Sequence, residues 1–340
     1  MNHRPNFIFL TSLILLILSS CNFIAETKFK VNDTTSNLNI ISGFINLTTA
    51  QGLGSNSTSD VFVDSSGNIY VATSGGLSIS TDSGTSFTNK TTAQGLGSNA
   101  TYGVYLDSSG NIYVATSGGL SISTDSGTSF TNKTTAQGLG SNAVYDVFVD
   151  SSGNIYAATP GGLSISTDSG TSFTNKTTAQ GLGNNQTNDV FVDSSGNIYV
   201  ATEGGLSIST DSGTSFTNKT TAQGLSGNSV QGVTVTSSGV IYSASFAGTG
   251  LSVSTNGGTS FSVFSTSQGL GSNSTLSVFS ANDGQLIVGT GLGLSISNNN
   301  GISFTNYTTI DGLGANGIHS IFKELDKIWV CTNSGLAYSF

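Results

Sequence analysis

Short runs in which apolar and polar residues alternate cover the chain from about residue 42 onward. In the first complete unit these runs predict four strands, at residues 60–64, 69–73, 77–80 and 86–90. The intervening segments are rich in Gly, Ser, Asn and Asp, which are the residues of tight turns. After the first twenty residues no segment shows an apolar period of 3.6, so we expect almost no helix.

The same unit recurs along the chain at a nearly constant interval. The string Thr-Thr-Ala-Gln-Gly-Leu and its two weaker copies begin at Thr48, Thr91, Thr134, Thr177, Thr220, Ser265 and Thr308. Successive copies are 43 residues apart, with one interval of 45. Repeats of this length that hold four short strands are typical of the blades of a β-propeller.

The two ends of the repeat region indicate how many blades there are. The last unit stops at Phe340 after its third strand, while residues 42–48 match a fourth strand that has no unit of its own. We therefore predict an all-β, seven-bladed β-propeller at 42–340, with four antiparallel strands per blade, whose last blade is closed by the N-terminal strand (about 42–48). An open solenoid is the alternative, but it would not need this complementary truncation.

The first forty residues predict export. Arg4 precedes an apolar run from Phe7 to Leu18, which is shorter than the roughly 20 residues of a membrane-spanning helix, so residues 1–20 are interpreted as a signal peptide. The run ends in Leu-Ser-Ser-Cys, which resembles the bacterial lipobox, and this resemblance implies a lipid on Cys21. An ordinary signal peptide with an incidental cysteine is the alternative. Residues 21–41 then form a lipidated, flexible tether.

This leader predicts an exported, membrane-anchored lipoprotein of the bacterial cell envelope. It would lie at the outer membrane, on the periplasmic or the surface side, and would contact the membrane only through its lipid. Because Cys21 would be acylated, Cys331 has no partner for a disulfide and is interpreted as a small buried residue.

Two family resemblances support the propeller. The stretch Ser-Thr-Asp-Ser-Gly-Thr-Ser-Phe at 80–87 resembles the Asp-box, or bacterial neuraminidase repeat, of sialidases. The stretch at 64–77 resembles the two-component regulator propeller repeat, and Trp329 brings the last blade closest to that pattern. We interpret the box residues as structural acceptors in tight turns, a role that Asn can also fill. They are Asp82, Asp125, Asp168, Asp211, Asn256 and Asn299.

Composition and charge exclude several functions. Only 8% of the 340 residues are charged, the net charge is −9, and Arg4 is the only arginine. We therefore expect no binding to nucleic acid, which needs clustered Lys and Arg. The resemblance to sialidases does not extend to their activity, because the arginine triad of that family has no counterpart here. We expect no metal, no cofactor and no catalytic residue, although the sequence leaves open a carboxylate pair for glycoside hydrolysis.

Positions that break the repeat predict where a ligand would bind. They lie before the first strand and between the second and third strands of each unit, in loops that open on one face of a propeller around its channel. Aromatic and acidic side chains around a polar mouth suit sugars or peptides. The candidate contacts are Tyr102, Tyr145, Asp146, Asp189, Glu203, Phe246 and His319.

Two alternatives concern these same loops. Neutral variation of exposed loops would explain the differences without a ligand. A cation held by Asp60, Asp146 and Asp189 is the other alternative. We favour a monomeric, non-enzymatic binding module for a glycan, a peptide or an envelope or host protein. A sensor that acts through a partner protein and a polysaccharide-active glycosidase or lyase remain as alternative functions.

Overall fold

The computed structural model describes residues 41–281 and 284–340. The expected signal peptide, Cys21 and all but the last residue of the expected tether lie outside these residues and stay predictions.

Seven four-stranded antiparallel sheets make up the described residues. Blade one contains β2 (Thr58–Val63), β3 (Ile69–Thr73), β4 (Gly76–Ser80) and β5 (Thr88–Lys90). Blade two contains β6 (Thr101–Leu106), β7 (Ile112–Thr116), β8 (Gly119–Ser123) and β9 (Thr131–Lys133). Blade three contains β10 (Asp146–Val149), β11 (Ile155–Thr159), β12 (Gly162–Ser166) and β13 (Thr174–Lys176). Blade four contains β14 (Thr187–Val192), β15 (Ile198–Thr202), β16 (Gly205–Ser209) and β17 (Thr217–Lys219).

The remaining three blades follow the same plan. Blade five contains β18 (Val230–Val235), β19 (Ile241–Ser245), β20 (Leu251–Ser254) and β21 (Ser262–Phe264). Blade six contains β22 (Thr275–Ser280), β23 (Leu286–Thr290), β24 (Gly293–Ser297) and β25 (Thr305–Tyr307). Blade seven contains β26 (Ile318–Glu324), β27 (Lys327–Thr332), β28 (Gly335–Ser339) and, from the start of the chain, β1 (Phe44–Leu47).

The pairing of β1 with β28 closes the ring. The two strands are antiparallel, with Phe44 opposite Ser339 and Leu47 opposite Leu336. Leu47 packs into the core between blades seven and one, and Phe44 packs into the core between blades six and seven. The prediction of a seven-bladed propeller whose last blade is closed by the N-terminal strand is confirmed.

The repeated Thr-Thr-Ala-Gln-Gly string forms a capped single turn between blades. In the first copy Thr48 Oγ1 accepts from the backbone N–H of Ala50, and Gln51 Oε1 accepts from the N–H of Thr48 at 2.9 Å, which makes a capping box. Gly52 ends the turn at φ 96°, where a Cβ would come within 2.4 Å of the carbonyl oxygen of Phe87. The described residues therefore contain no α-helix, only seven 3₁₀ turns. These are Thr49–Gln51, Thr92–Gln94, Thr135–Gln137, Thr178–Gln180, Thr221–Gln223, Thr266–Gln268 and Thr309–Asp311.

Polar side chains tie neighbouring blades together as well. Thr58, at the start of β2, donates from Oγ1 to the carbonyl oxygen of Thr332 at 3.0 Å and accepts from the N–H of Thr332 at 2.9 Å. Thr58 is fully buried, so these bonds satisfy groups that water cannot reach. Equivalent threonines, each bonded to the preceding blade, are Thr101, Thr187 and Thr275.

The Asp-box side chains hold their own turns. Asp82 Oδ1 accepts from Ser80 Oγ at 2.7 Å and from the N–H of Ser86 at 2.9 Å, and Ser86 Oγ donates to Asp82 Oδ2. Hydrogen bonds from Ser86 and Ser80 lower the pKa of this exposed carboxyl to about 2. Asn256 keeps the bond from the N–H of Ser260 and donates to Ser260 Oγ, so it preserves the turn with its donor direction reversed.

One buried acceptor in the closing blade lacks a partner. In blade one, Ser78 Oγ donates to Asn89 Oδ1 at 3.1 Å and accepts from the N–H of Gly54 at 2.9 Å. The corresponding residues of blade seven are Ala337 and Asn46, which face each other across β28 and β1. Because Ala337 has no hydroxyl, Asn46 Oδ1 is buried without a hydrogen bond.

Replacing Ala337 with Ser should therefore stabilise the propeller. The new hydroxyl would donate to Asn46 Oδ1, and satisfying a buried acceptor contributes about 1 kcal/mol to the free energy of unfolding. Urea denaturation of A337S and wild type measures the change. The reverse substitution in blade one, Ser78→Ala, is the matched control and should destabilise by a similar amount. Equal or lower stability of A337S, with S78A destabilised, would contradict the prediction.

Candidate functional site

A cavity of about 320 Å³ lies on the axis of the ring and is lined by the first strands of all seven blades. A β-bulge in most of these strands, as between Thr58 and Asp60, places its extra residue at one end of the cavity. Further along the strand, Asp60 and Phe62 face the following blade at the channel wall, while Val61 and Val63 pack against the preceding blade. The lining residues therefore form three levels.

We name these levels by their position. The mouth ring consists of Ser59, Tyr102, Tyr145, Asn188, Gln231, Leu276 and His319. The middle ring consists of Asp60, Asp146, Asp189, Gly232, Ser277 and Ser320, with Gly103 at the equivalent place in blade two. The aromatic ring consists of Phe62, Tyr105, Phe148, Phe191, Phe279 and Phe322, with Thr234 at the equivalent place in blade five.

In five of the seven blades a backbone hydrogen bond joins the two variable loops at the mouth. In blade one the N–H of Ser74 donates to the carbonyl oxygen of Ser57 at 3.1 Å, and in blade four the N–H of Glu203 donates to Gln186 at 3.2 Å. These bonds join the loop before the first strand to the loop between the second and third strands. Residues that differ between blades are thereby brought to one face of the ring.

At the mouth ring, aromatic and polar groups lie side by side. The rings of Tyr102 and Tyr145 are 6.0 Å apart in an edge-to-face arrangement, and Tyr102 is 37% exposed. Glu203 Oε1 accepts from Asn188 Nδ2 at 2.9 Å and from Gln231 Nε2 at 3.2 Å. Burial raises the pKa of Glu203, but hydrogen bonds from Ser229, Asn188 and Gln231 outweigh it and leave that pKa below its usual value. Glu203 is therefore a fixed carboxylate at the mouth.

Six of the seven predicted contact residues line one of two connected cavities. Tyr102, Tyr145 and His319 line both the channel and a wider cavity of about 520 Å³ at its mouth. Asp146 and Asp189 line the channel, and Glu203 lines the mouth cavity. The mouth cavity is also lined by four residues that the sequence analysis does not predict, namely Gln186, Asn188, Gln231 and Leu276.

Phe246 and His319 differ from the other predicted contact residues in their surroundings. Phe246 is 57% exposed and lines none of the cavities described here, although its N–H donates to the carbonyl oxygen of Ser229 as the equivalent N–H of Glu203 donates to Gln186. His319 Nδ1 lies 3.0 Å from the carbonyl oxygen of Thr58. Since a carbonyl can only accept, Nδ1 carries the hydrogen and Nε2 is left for another contact.

The middle ring is built from carboxylates that bridge adjacent blades. Asp60 Oδ2 accepts from the N–H of Val104 at 2.8 Å, and the same bond joins Asp146 to Val190 and Asp189 to Val233. Ser320 Oγ donates to Asp60 Oδ1 at 2.6 Å from the other side. Each aspartate thus accepts a hydrogen bond from a backbone N–H in the first strand of the following blade.

Burial changes the protonation of these aspartates. It raises the pKa of Asp60 to about 6, with repulsion from Asp146 adding to the effect. Burial also raises the pKa values of Asp146 and Asp189, and repulsion from Asp189 and a hydrogen bond between the two carboxyl groups raise that of Asp146 further, which favours one proton held between them. Among the described residues no group of three or more His, Cys, Asp or Glu could hold a metal ion, so the three aspartates do not form the cation site considered from the sequence.

The aromatic ring was not anticipated from the sequence. Neighbouring ring centroids are 5.0 to 6.0 Å apart from Phe279 through Phe322, Phe62, Tyr105 and Phe148 to Phe191. Thr234 interrupts this belt, and beside it a cavity of about 530 Å³ opens at the other end of the ring. The available signal was an aromatic residue two positions after the middle-ring residue in six of the seven units.

The fold is similar to that of several solved structures, whereas no family model and no curated protein matches the chain. Two neighbours from B. thetaiotaomicron are described as extracellular domains of hybrid two-component systems. One is 22% identical with a TM-score of 0.74, over 88% of this chain and 42% of that one. The other is 19% identical with a TM-score of 0.71, over 88% of this chain and 40% of that one.

A third neighbour is an enzyme. Virginiamycin B lyase from Staphylococcus aureus is 14% identical with a TM-score of 0.70, over 87% of this chain and 97% of the lyase. At these identities the similarity establishes the fold alone. The chain spans less than half the length of the two domains from two-component systems. In residues 41–281 and 284–340 no helix has the length and apolar character needed to cross a membrane.

The middle ring predicts an unusual dependence of stability on pH. Because the pKa values of Asp60, Asp146 and Asp189 are raised in the folded state, the folded protein binds protons more tightly than the unfolded chain. Their contribution to stability is greatest below pH 4 and is lost as the pH rises through about 6, the folded pKa of Asp60. We expect Asp146→Asn to reduce this loss, since an amide can accept from Val190 and donate to Asp189 without a charge.

Urea denaturation between pH 4.5 and pH 8 measures the effect. D146N should be more stable than wild type at pH 8, by about 1 kcal/mol or more, with a flatter pH profile. Asp168→Asn, the same change in the Asp-box of the same blade, should leave the slope over this range unchanged, because Asp168 titrates near pH 2. A D146N profile parallel to that of wild type would contradict the assignment.

Proposed function

We propose that this propeller is a non-enzymatic binding module whose ligand lies over the channel mouth. The observation that carries the proposal is the convergence of residues that break the repeat. Tyr102, Tyr145, Glu203 and His319 come from blades two, three, four and seven, yet they line one mouth cavity. The fold brings these positions together, but the edge-to-face pair of tyrosines beside a hydrogen-bonded carboxylate is the kind of surface that binds polar ligands.

The chemistry of the mouth favours a glycan or a peptide. The partly exposed ring of Tyr102 offers an apolar surface for a sugar face or a side chain. Glu203, fixed by Asn188 and Gln231, offers an acceptor for hydroxyl or amide groups. A segment of an envelope or host protein could present the same groups.

The carboxylates of the channel favour binding over glycoside hydrolysis. Glycosidases separate their two carboxyl groups by about 5 Å or more, so that one can act as nucleophile or activate a water. The carboxyl groups of Asp146 and Asp189 interact directly with each other, and each also accepts from a backbone N–H, so neither is free to act as nucleophile or to activate a water. The similarity to a lyase keeps an enzymatic role as an alternative, at the level of fold only.

A sensory role is the second candidate. The two neighbours from B. thetaiotaomicron are described as extracellular domains of two-component systems, and those proteins are more than twice as long as the matched region. If this chain senses a ligand, we propose that it transmits the signal through a partner protein.

Removing the two mouth tyrosines should abolish binding. The wild-type chain, Tyr102→Ala/Tyr145→Ala and Phe340→Ala would be applied to a glycan array and a peptide array. We expect wild type to retain defined probes and the double variant to lose them by at least tenfold, because both aromatic surfaces are gone. Phe340, which is also exposed but lines neither cavity, is the matched control and should bind as wild type. Retention of the same probes by the double variant would refute the proposed site.

We also propose that the module is attached to the envelope membrane through Cys21. The proposal rests on the lipobox-like sequence at residues 18–21. Cys21→Ala should move the protein from the membrane fraction to the soluble fraction of its host cells. Cys331→Ala is the matched control, because Ala occupies the equivalent place in several other blades, including Ala72 and Ala115. An unchanged membrane fraction for C21A would exclude the anchor.

A further inference from the structure

We propose that the channel below the mouth binds the ammonium group of an organic cation, with its alkyl part held by aromatic rings. This inference deepens the proposed function, since it names the chemistry of the group that the ligand inserts. The ammonium could belong to a lysine side chain of a peptide or to a free amine.

The acidic residues that line the two cavities favour a cationic ligand. Asp60, Asp146 and Asp189 face the channel and Glu203 faces its mouth, but none of the described residues lining the two cavities is Lys or Arg. Carboxylates withdrawn from water need a compensating positive group or a proton. A proton held between Asp146 and Asp189 supplies part of that compensation, since burial and repulsion from Asp189 raise the pKa of Asp146. An ammonium group would replace it.

The aromatic ring, as defined above, lies directly beneath the carboxylates of the middle ring and favours an organic cation. Five pairs of neighbouring rings, with centroids 5.0 to 6.0 Å apart, form a belt around the axis that is only partly buried. Aromatic faces attract cations and accept alkyl carbons, and carboxylate-plus-aromatic sites suit ammonium ions for this reason. An anionic ligand would gain nothing from this belt.

The kind of acceptor in the middle ring also favours an ammonium group. An ammonium group has three N–H donors, and Asp146 and Asp189, from adjacent blades, present two neighbouring carboxyl groups as acceptors. Ser277, in the same ring, has a buried hydroxyl oxygen without a hydrogen-bond partner. A calcium ion would need six to eight oxygen ligands, which aspartates already bonded to Val104, Val190 and Val233 do not provide. A cavity of about 320 Å³ accommodates one such side chain or a small amine.

Binding should be coupled to proton release. A cation between Asp146 and Asp189 favours their ionised forms, so the shared proton leaves when the ammonium enters. Affinity should therefore rise from pH 5 to pH 8. The titratable groups that face this space are Asp60, Asp146, Asp189, Glu203, His319, Tyr102, Tyr105 and Tyr145.

Isothermal titration calorimetry of the purified full chain tests the proposal with probes of nearly equal size. We expect butylammonium to bind at least tenfold more tightly than 1-butanol, and butyrate not to bind. Titrations at pH 7 in buffers of different ionisation enthalpy should show release of a fraction of a proton. Cadaverine and Nα-acetyl-lysine methylamide then distinguish a free amine from a lysine side chain, and binding of either supports the ammonium site.

Variants locate the site. Asp146→Asn/Asp189→Asn should weaken butylammonium binding at least tenfold and remove the proton release, while Asp168→Asn should bind as wild type. If the double variant does not fold, Phe148→Leu, which removes one ring of the belt, should weaken butylammonium more than 1-butanol. Equal affinities for butylammonium and 1-butanol, preference for Ca²⁺, or no binding of any amine would each overturn the proposal.

These outcomes are separable from failure of the proposed function. Tyrosine-dependent probes on the arrays, together with no amine binding, would refute the ammonium site and leave the binding module intact. Amine binding without any tyrosine-dependent probe would support the ammonium site and refute the mouth as a recognition surface.

Discussion

The pairing of β1 with β28 is the constraint on which the rest of the structure depends. It brings together residues from the two ends of the described chain, and closing a loop of that length costs about 5 kcal/mol in chain entropy. Backbone bonds of the antiparallel pair offset this cost, as does burial of Phe44 and Leu47 in two different inter-blade cores. Without this pair, blade seven would expose an unpaired strand edge, and His319 would have no fixed place beside blade one. The mouth exists as one surface only because the ring is closed.

Much of this fold could be predicted because its signals are local and repeated. The spacing of the turn residues sets the blades, and the complementary ends of the repeat indicate closure. The sequence predicts that the first strand of blade one starts at residue 60, whereas β2 starts at Thr58. No local pattern in the sequence reveals the reason. Thr58 is held by hydrogen bonds to Thr332 and Gly335, which are more than 270 residues away along the chain. The aromatic ring was missed for a similar reason, since Phe62 in an alternating strand looks like any other partly buried residue until the strands are arranged around an axis.

The candidate site could be located in part because nearly identical units make their differences visible. Tyr102, Tyr145 and Glu203 break the pattern, and the structure brings them to the same mouth. Phe246 lies at the predicted loop position but lines neither cavity, so the position in the repeat alone could not predict which side chains face the mouth. The sequence places Asp146 and Asp189 at the same position of consecutive units, which predicts that they are neighbours in the ring, but it could not show that burial raises their pKa values. Adjacent units in sequence are adjacent in the ring, and this is why two equivalent carboxylates meet.

The middle ring shows how one set of residues can serve both the scaffold and the site. A bulged inner strand leaves an N–H for the preceding blade to satisfy, and an aspartate satisfies it in three places. Gly103 and Gly232 occupy the same position in blades two and five, so the ring closes without a carboxylate in every blade. Neutral side chains that accept from the N–H would therefore support the fold without the repulsion that raises the pKa of Asp60. The carboxyl groups in blades one, three and four are acidic groups in the channel that the architecture itself does not require, and in the proposed ammonium site they favour a cation.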